Sequence, residues 1–234
     1  MTLALAVMND SGVVLAADGL GTWGAMIGAQ QLPYKKLTVL GDRCACAEIG
    51  NLSITANLAA ALRGSALASE PTMSRTASEW LDVARQQVQT WTNLYLQRTV
   101  FSSTLPLVHQ FDDAYLLFVG VASDRNFAYG IRWVGEVVEP NTPYYLALGS
   151  GASPARTYLD AYEYFAPGTQ PVLNLQALAA RVMDKVSRSV IEIGGEIRLV
   201  AIHRDPAVTP PLQEFGLDDP ETLTTIQRWE LLED

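Results

Sequence analysis

Thr2 stands behind Met1 at the head of an apolar run, Leu3-Ala4-Leu5-Ala6-Val7. A methionine before a small residue is the usual substrate for removal of the initiator. That removal would leave Thr2 as the N-terminal residue. A threonine with a free α-amine carries a nucleophile and its general base together, because the amine can take the proton from its own Oγ. The chemistry this suggests is covalent acyl transfer, ending in hydrolysis of an amide. The other reactive residue types offer less. Cys44 and Cys46 alternate on one strand face, a poor geometry for a disulfide with each other. No nearby cysteine or histidine completes a metal site with them, since the two histidines are His109 and His203. No catalytic metal and no cofactor is expected.

Composition narrows the class. A length of 234 residues suits one large domain or two small ones, and 49% hydrophobic residues supply a sizeable core. The net charge of −9 argues against a nucleic-acid partner. The charge is concentrated in 205–234, which holds eight acidic residues and one basic residue, Arg228. Paired with its prolines, this composition predicts a C-terminal tail that wraps a neighbour or frays, after a domain spanning 1–204. No signal segment is expected, because Leu3 to Val7 is short and ends at Asn9-Asp10-Ser11-Gly12. No window approaches the run of about 18 apolar residues that a membrane span needs. Reduced cysteines and the missing signal point to a cytoplasmic protein.

The elements that must hold Thr2 follow from the apolar pattern. Leu3 to Met8 and Val13 to Ala17 flank a turn and predict a hairpin. Leu20 to Pro33 is Gly-rich and predicts irregular chain. Lys36 to Leu40 and Arg43 to Ile49 predict two strands. Asn51 to Ala68 predicts a helix with Asn51 as its N-cap. A second helix from about Ser74 carries Trp80, Val83 or Ala84, Val88, Trp91 and Tyr95 at helical spacing, a core stripe. Strands are expected over Ala114 to Ala122, Phe127 to Trp133, Gly135 to Val138 and Tyr144 to Leu148. Helices are expected from Ser153 to about Tyr164 and from Leu173 to Ile191, then a closing strand over Ile197 to Ile202. Antiparallel strand blocks alternating with helix pairs predict an α+β fold, two sheets stacked between two helical layers.

Thr2, the run Gly12-Val13-Val14-Leu15-Ala16-Ala17-Asp18-Gly19 and Thr22 together resemble the opening of proteasome β-type subunits and of the bacterial HslV peptidase. The resemblance is clear over residues 2–58 and recognisable around 147–160 and 177–202. It implies the N-terminal-nucleophile fold, an αββα sandwich, with Thr2 as nucleophile. It implies a lysine whose charge lowers the pKa of the threonine amine and hydroxyl. Lys35 and Lys36 compete for that role, and Lys36, followed by Leu37 and Leu40 at the family's spacing, is chosen. Asp18 would pair with this lysine. Gly50, at a strand-to-helix junction, would donate to the oxyanion. Ser150, in Gly149-Ser150-Gly151, would support the threonine amine. Thr22 and Glu48 would belong to the substrate pocket, Glu48 favouring basic or polar side chains there. Asn51-Leu52-Ser53 is similar to the bacterial proteasome-like branch called Anbu.

One departure stands out. Where the family has an aspartate and a serine before Gly-Gly, this chain has Val190 and Ile193 before Gly194-Gly195, with Glu192 between them. The resemblance implies a threonine endopeptidase acting on peptides or unfolded proteins within a homo-oligomeric ring or spiral. An ATP-dependent unfoldase partner belongs to that expectation, and nucleic acid and membrane do not. Two alternatives stand beside it: an inactive structural ring subunit, and hydrolysis of a small amide by the same chemistry.

Overall fold

The computed structural model describes residues 2–23, 30–100, 114–140, 142–163, 172–190, 193–220 and 222–224. Two antiparallel five-stranded sheets stack face to face with helices on their outer sides. The first sheet is built from β1 (Leu3–Asn9), β2 (Gly12–Ala17), β10 (Tyr145–Gly149), β11 (Arg198–His203) and β12 (Leu212–Gly216). Its order is β10-β1-β2-β11-β12. The second follows the order β5 (Leu37–Val39), β6 (Cys44–Ile49), β7 (Tyr115–Val121), β8 (Asn126–Arg132) and β9 (Val137–Val138).

The layers are written in the alternation of the strands. Leu3, Leu5 and Val7 of β1 point to the core under α4 (Ala152–Glu163) and α5 (Val172–Ser189). Ala4, Ala6 and Met8 point the other way, into the seam between the sheets. In β6 the pattern repeats. Cys44 and Cys46 face α1 (Leu52–Arg63) and α3 (Ala77–Val100), while Ala45, Ala47 and Ile49 face the seam. Small residues let the sheets approach, and branched or aromatic ones fill the helix-facing cores. Both faces of each central strand are covered, so these strands are continuous apolar runs with little polar alternation.

Most expected elements form. Asn51 caps α1, its side chain accepting from Ser53 N at 3.1 Å. The helix expected through Ala68 stops at Arg63, because Gly64 and Ser65 interrupt it and Ser65 caps a separate short α2 (Ala66–Ser69). The expected stripe is core: Trp80, Ala84 and Val88 are fully buried, and Trp91 stacks on Tyr95 at 5.0 Å. Two expectations need correction. Within the stretch 20–33, read as irregular, β3 (Leu20–Trp23) and β4 (Gln30–Pro33) pair as two antiparallel strands. Ile197 to Ile202 does not close the fold. The chain beyond it returns as β12, paired with β11, and Phe215 and Leu217 pack on the core. The acidic composition of 205–234 hid a strand that the sheet edge recruits.

Candidate active site

Strand register brings the sequence-predicted residues to one place. The pairing of Leu3 with Gly149 sets Ser150 beside Thr2. The pairing of Ala4 with Ala17 sets Asp18 beside Leu3. In the other sheet, Leu37 pairs with Ala47, which carries Lys36 and Gly50 to the same end. Four strand ends thus converge on Thr2.

The centre is a buried chain of polar contacts. Lys36 Nζ donates to Thr2 Oγ1 at 3.1 Å and to both Asp18 oxygens at 2.8 and 2.9 Å. The side chains of Lys36 and Asp18 are fully buried. Asp18 also accepts from Leu3 N at 2.9 Å and from Leu20 N at 3.4 Å. Burial pushes the Lys36 ammonium below its ordinary value, opposed by the Asp18 charge. Burial pushes Asp18 up, opposed by Lys36 and by the two backbone amides. A bidentate ion pair holding two further amide donors has its charges compensated, which is what a buried pair requires. Lys35 turns outward to Glu214 of β12 at 2.8 Å, so the choice between the two lysines resolves to Lys36.

The nitrogen of Thr2 donates to Ser150 Oγ at 3.1 Å, and the Thr2 carbonyl accepts from Gly151 N at 3.4 Å. Gly149 has φ +96°, and a Cβ there would sit 2.2 Å from the Thr2 carbonyl oxygen. Glycine at 149 is therefore demanded by the closeness of two backbones.

Thr2 opens onto a cavity of about 720 Å³. One wall is Gly149, Ser150, Ala152 and Arg156, from β10 and α4. The other is Ile49, Gly50, Asn51 and Tyr115, from the second sheet and its loop. Gly50, in the left-handed region at φ +88°, is among the residues that line this cavity. Glu48 does not line this cavity. It is buried, and its carboxylate accepts from Tyr34 Oη at 2.9 Å. Burial raises Glu48 to about 7, opposed by hydrogen bonds from Tyr34, Thr38 and Thr55 and by the Arg63 charge. Thr22 pairs with Gln31 in the β3–β4 pair, and its side chain lies outside the described residues. Sequence reasoning missed Tyr34 and Arg156. Tyr34 adjoins the lysine pair, which was a usable signal; Arg156 carried none.

The departure near Gly194-Gly195 is apolar in three dimensions. Ile193 is 2% exposed and presses on Gly151, where a Cβ would meet its Cδ1 at 2.1 Å. Val190 packs against the same core. Glu192 lies outside the described residues. Among the described residues no group of His, Cys, Asp and Glu could hold a metal ion, and no helix is long and apolar enough to cross a membrane. Cys44 and Cys46 are free and buried, and burial raises the Cys44 thiol to about 12 and Cys46 well above its ordinary value.

Comparison with known proteins gives a consistent picture. A family model described as "Proteasome subunit" matches residues 2–193. No curated protein sequence matches the chain. Among solved structures, Anbu (ancestral beta-subunit) from Yersinia bercovieri superposes with a TM-score of 0.70 at 17% identity. That match covers 99% of this chain and 94% of that one. A Gly-1 mutant of Anbu from Hyphomicrobium sp. strain MC1 gives 0.69 at 20% identity, covering 100% and 95%. A second structure of that Anbu gives 0.65 at 19%, covering 99% and 94%.

Proposed function

The chain belongs to the proteasome subunit family, and from that premise we propose that it is a threonine peptidase that uses Thr2 after removal of Met1. The observation that carries this reading is the 3.1 Å contact from the buried Lys36 ammonium to Thr2 Oγ1, with Asp18 holding the lysine. A fixed cation beside a hydroxyl favours its ionised form. Once Met1 is gone, the nitrogen beside Ser150 is the α-amine. It takes the proton as Thr2 Oγ attacks a peptide carbonyl, and Gly50 N–H receives the developing oxyanion. The amine then returns the proton to the leaving nitrogen. Water attacks the ester formed at Thr2 Oγ, releases the acid and restores the free threonine.

Substrates on this reading are peptides or unfolded chains, and the assembly is a homo-oligomeric ring or spiral in the cytoplasm. An unfoldase would feed it. Thr22 belongs to the pocket for the side chain preceding the cut, whereas Glu48, buried and held by Tyr34 outside the cavity at Thr2, is not part of its lining. A second reading has its own support. The apolar Val190 and Ile193 stand where the family's aspartate and serine would be, as in a ring component without activity.

Intact mass before and after an epoxyketone separates these readings. This reagent closes its ring only with a free N-terminal threonine, through both Oγ and the amine. Loss of Met1 followed by one equivalent of adduct is the expected result. Loss of Met1 without adduct overturns the peptidase in favour of the inactive component.

A further inference from the structure

Among the described residues lining the cavity at Thr2, Arg156 is the charged one. It sits on α4, six positions past Ser150 in the chain, and α4 begins straight after the Gly149-Ser150-Gly151 turn. One guanidinium nitrogen, Nη2, donates to the Ala147 carbonyl at 3.0 Å, which ties the side chain to β10. No carboxylate among the described residues pairs with it. Arginine presents five donors in a rigid fork, so a single carbonyl leaves most of that capacity open toward the cavity. The other cation near this rim, Arg132, is already paired with Glu136 at 2.6 Å and rests on the Tyr115 ring at 5.5 Å. Among the described residues, the cavity therefore holds one unneutralised positive charge and no negative one.

The side of the scissile bond that meets this charge follows from the proton path. The Thr2 nitrogen must reach the leaving nitrogen to protonate it, and that nitrogen is held at Ser150 Oγ, 3.1 Å away. The leaving segment thus lies over the wall made by Ser150, Ala152 and Arg156. Gly50 and Ile49, on the opposite wall, flank the carbonyl being attacked. We propose that Arg156 is a specificity-determining residue that recognises a carboxylate in the leaving segment, so that substrates with Asp or Glu just after the cut are preferred. The inference rests on the peptidase reading of Thr2. It goes beyond it by assigning a substrate class to Arg156, a residue outside the family motifs.

The test is digestion of denatured casein by the full-length protein lacking Met1, with every cut site identified by mass spectrometry. The same preparations are weighed after epoxyketone treatment. Wild type, Arg156→Gln, Arg156→Glu and Arg156→Lys are compared. In wild type, Asp and Glu after the cut should be enriched about fivefold, the effect of one partly exposed charge pair. The enrichment should vanish in Arg156→Gln, invert toward Lys and Arg in Arg156→Glu, and persist in Arg156→Lys. The lysine variant distinguishes lost charge from a disturbed helix. A preparation that takes up the epoxyketone yet shows no acidic preference, whether by uniform cleavage or by none, overturns the role of Arg156 and leaves Thr2 as nucleophile. A preparation that takes up no epoxyketone overturns the peptidase reading, and the proposal falls with it.

Discussion

Glu48 is the residue whose position the sequence described and whose surroundings it did not. Its place on the face shared by Cys44 and Cys46 followed from strand alternation. That Tyr34 closes over it, and that it is only 3% exposed, depends on how the second sheet meets the loop before Lys36. Lys36 was legible for a different reason, since Leu37 and Leu40 follow it at the spacing of the family the chain resembles. The ionisation of Glu48 has a consequence for stability. Its carboxyl titrates at about 7 in the folded chain against an ordinary 4.5. The folded state therefore binds this proton more tightly. The stabilisation is fully present below pH 4.5 and is lost as the pH rises through 7. Glu48→Gln keeps an acceptor for Tyr34 and cannot ionise. Relative to wild type it should gain on the order of 2 kcal/mol between pH 5 and pH 8. Urea unfolding of both proteins at the two pH values measures it, and an unchanged difference would sink the idea.

At the scale of elements, the candidate site is a meeting of strand ends, and the strands buried on both faces were the ones the apolar runs revealed. What sequence could not give was pairing across distance. The β3–β4 pair is short, and β12 is half-exposed and mixes Gln213 and Glu214 with Leu212 and Phe215. Neither carries a clear period of two. The turn from β10 into α4 shows how tightly the ends are fitted. Gly149→Ala would combine a left-handed φ of +96° with a Cβ 2.2 Å from the Thr2 carbonyl oxygen. A cost of about 2 kcal/mol is expected from the backbone alone, and the displaced Thr2 should label with the epoxyketone far more slowly. Gly64→Ala is the control, since its φ is −80° and the nearest atoms to a Cβ are 3.7 Å away. Denaturant midpoints and labelling rates for the two variants decide it; equal behaviour would mean the turn is not under this constraint.

For the whole molecule, residues 212–216 of the C-terminal segment are part of the sheet. Leu212 packs between the sheets, Phe215 and Leu217 pack under α5, and β12 covers the outer edge of β11. Truncation after His203 should therefore lower the urea midpoint and expose an unpaired edge that promotes aggregation. Light scattering during refolding reports the second effect. Glu214→Lys, which breaks only the exposed pair with Lys35, should change stability by less than about 1 kcal/mol. Truncation with no more effect than that single change would return the segment to the status of a tail. The nucleophile's own strand stands at the opposite extreme. β1 is buried on both faces and hydrogen-bonded along both edges, to β10 and β2. Its amides can trade hydrogen for solvent deuterium only when the entire fold opens. Thr2 directly precedes that strand, so the reactive end of the chain is anchored to the slowest clock in the molecule, and its alignment lasts as long as the native state does.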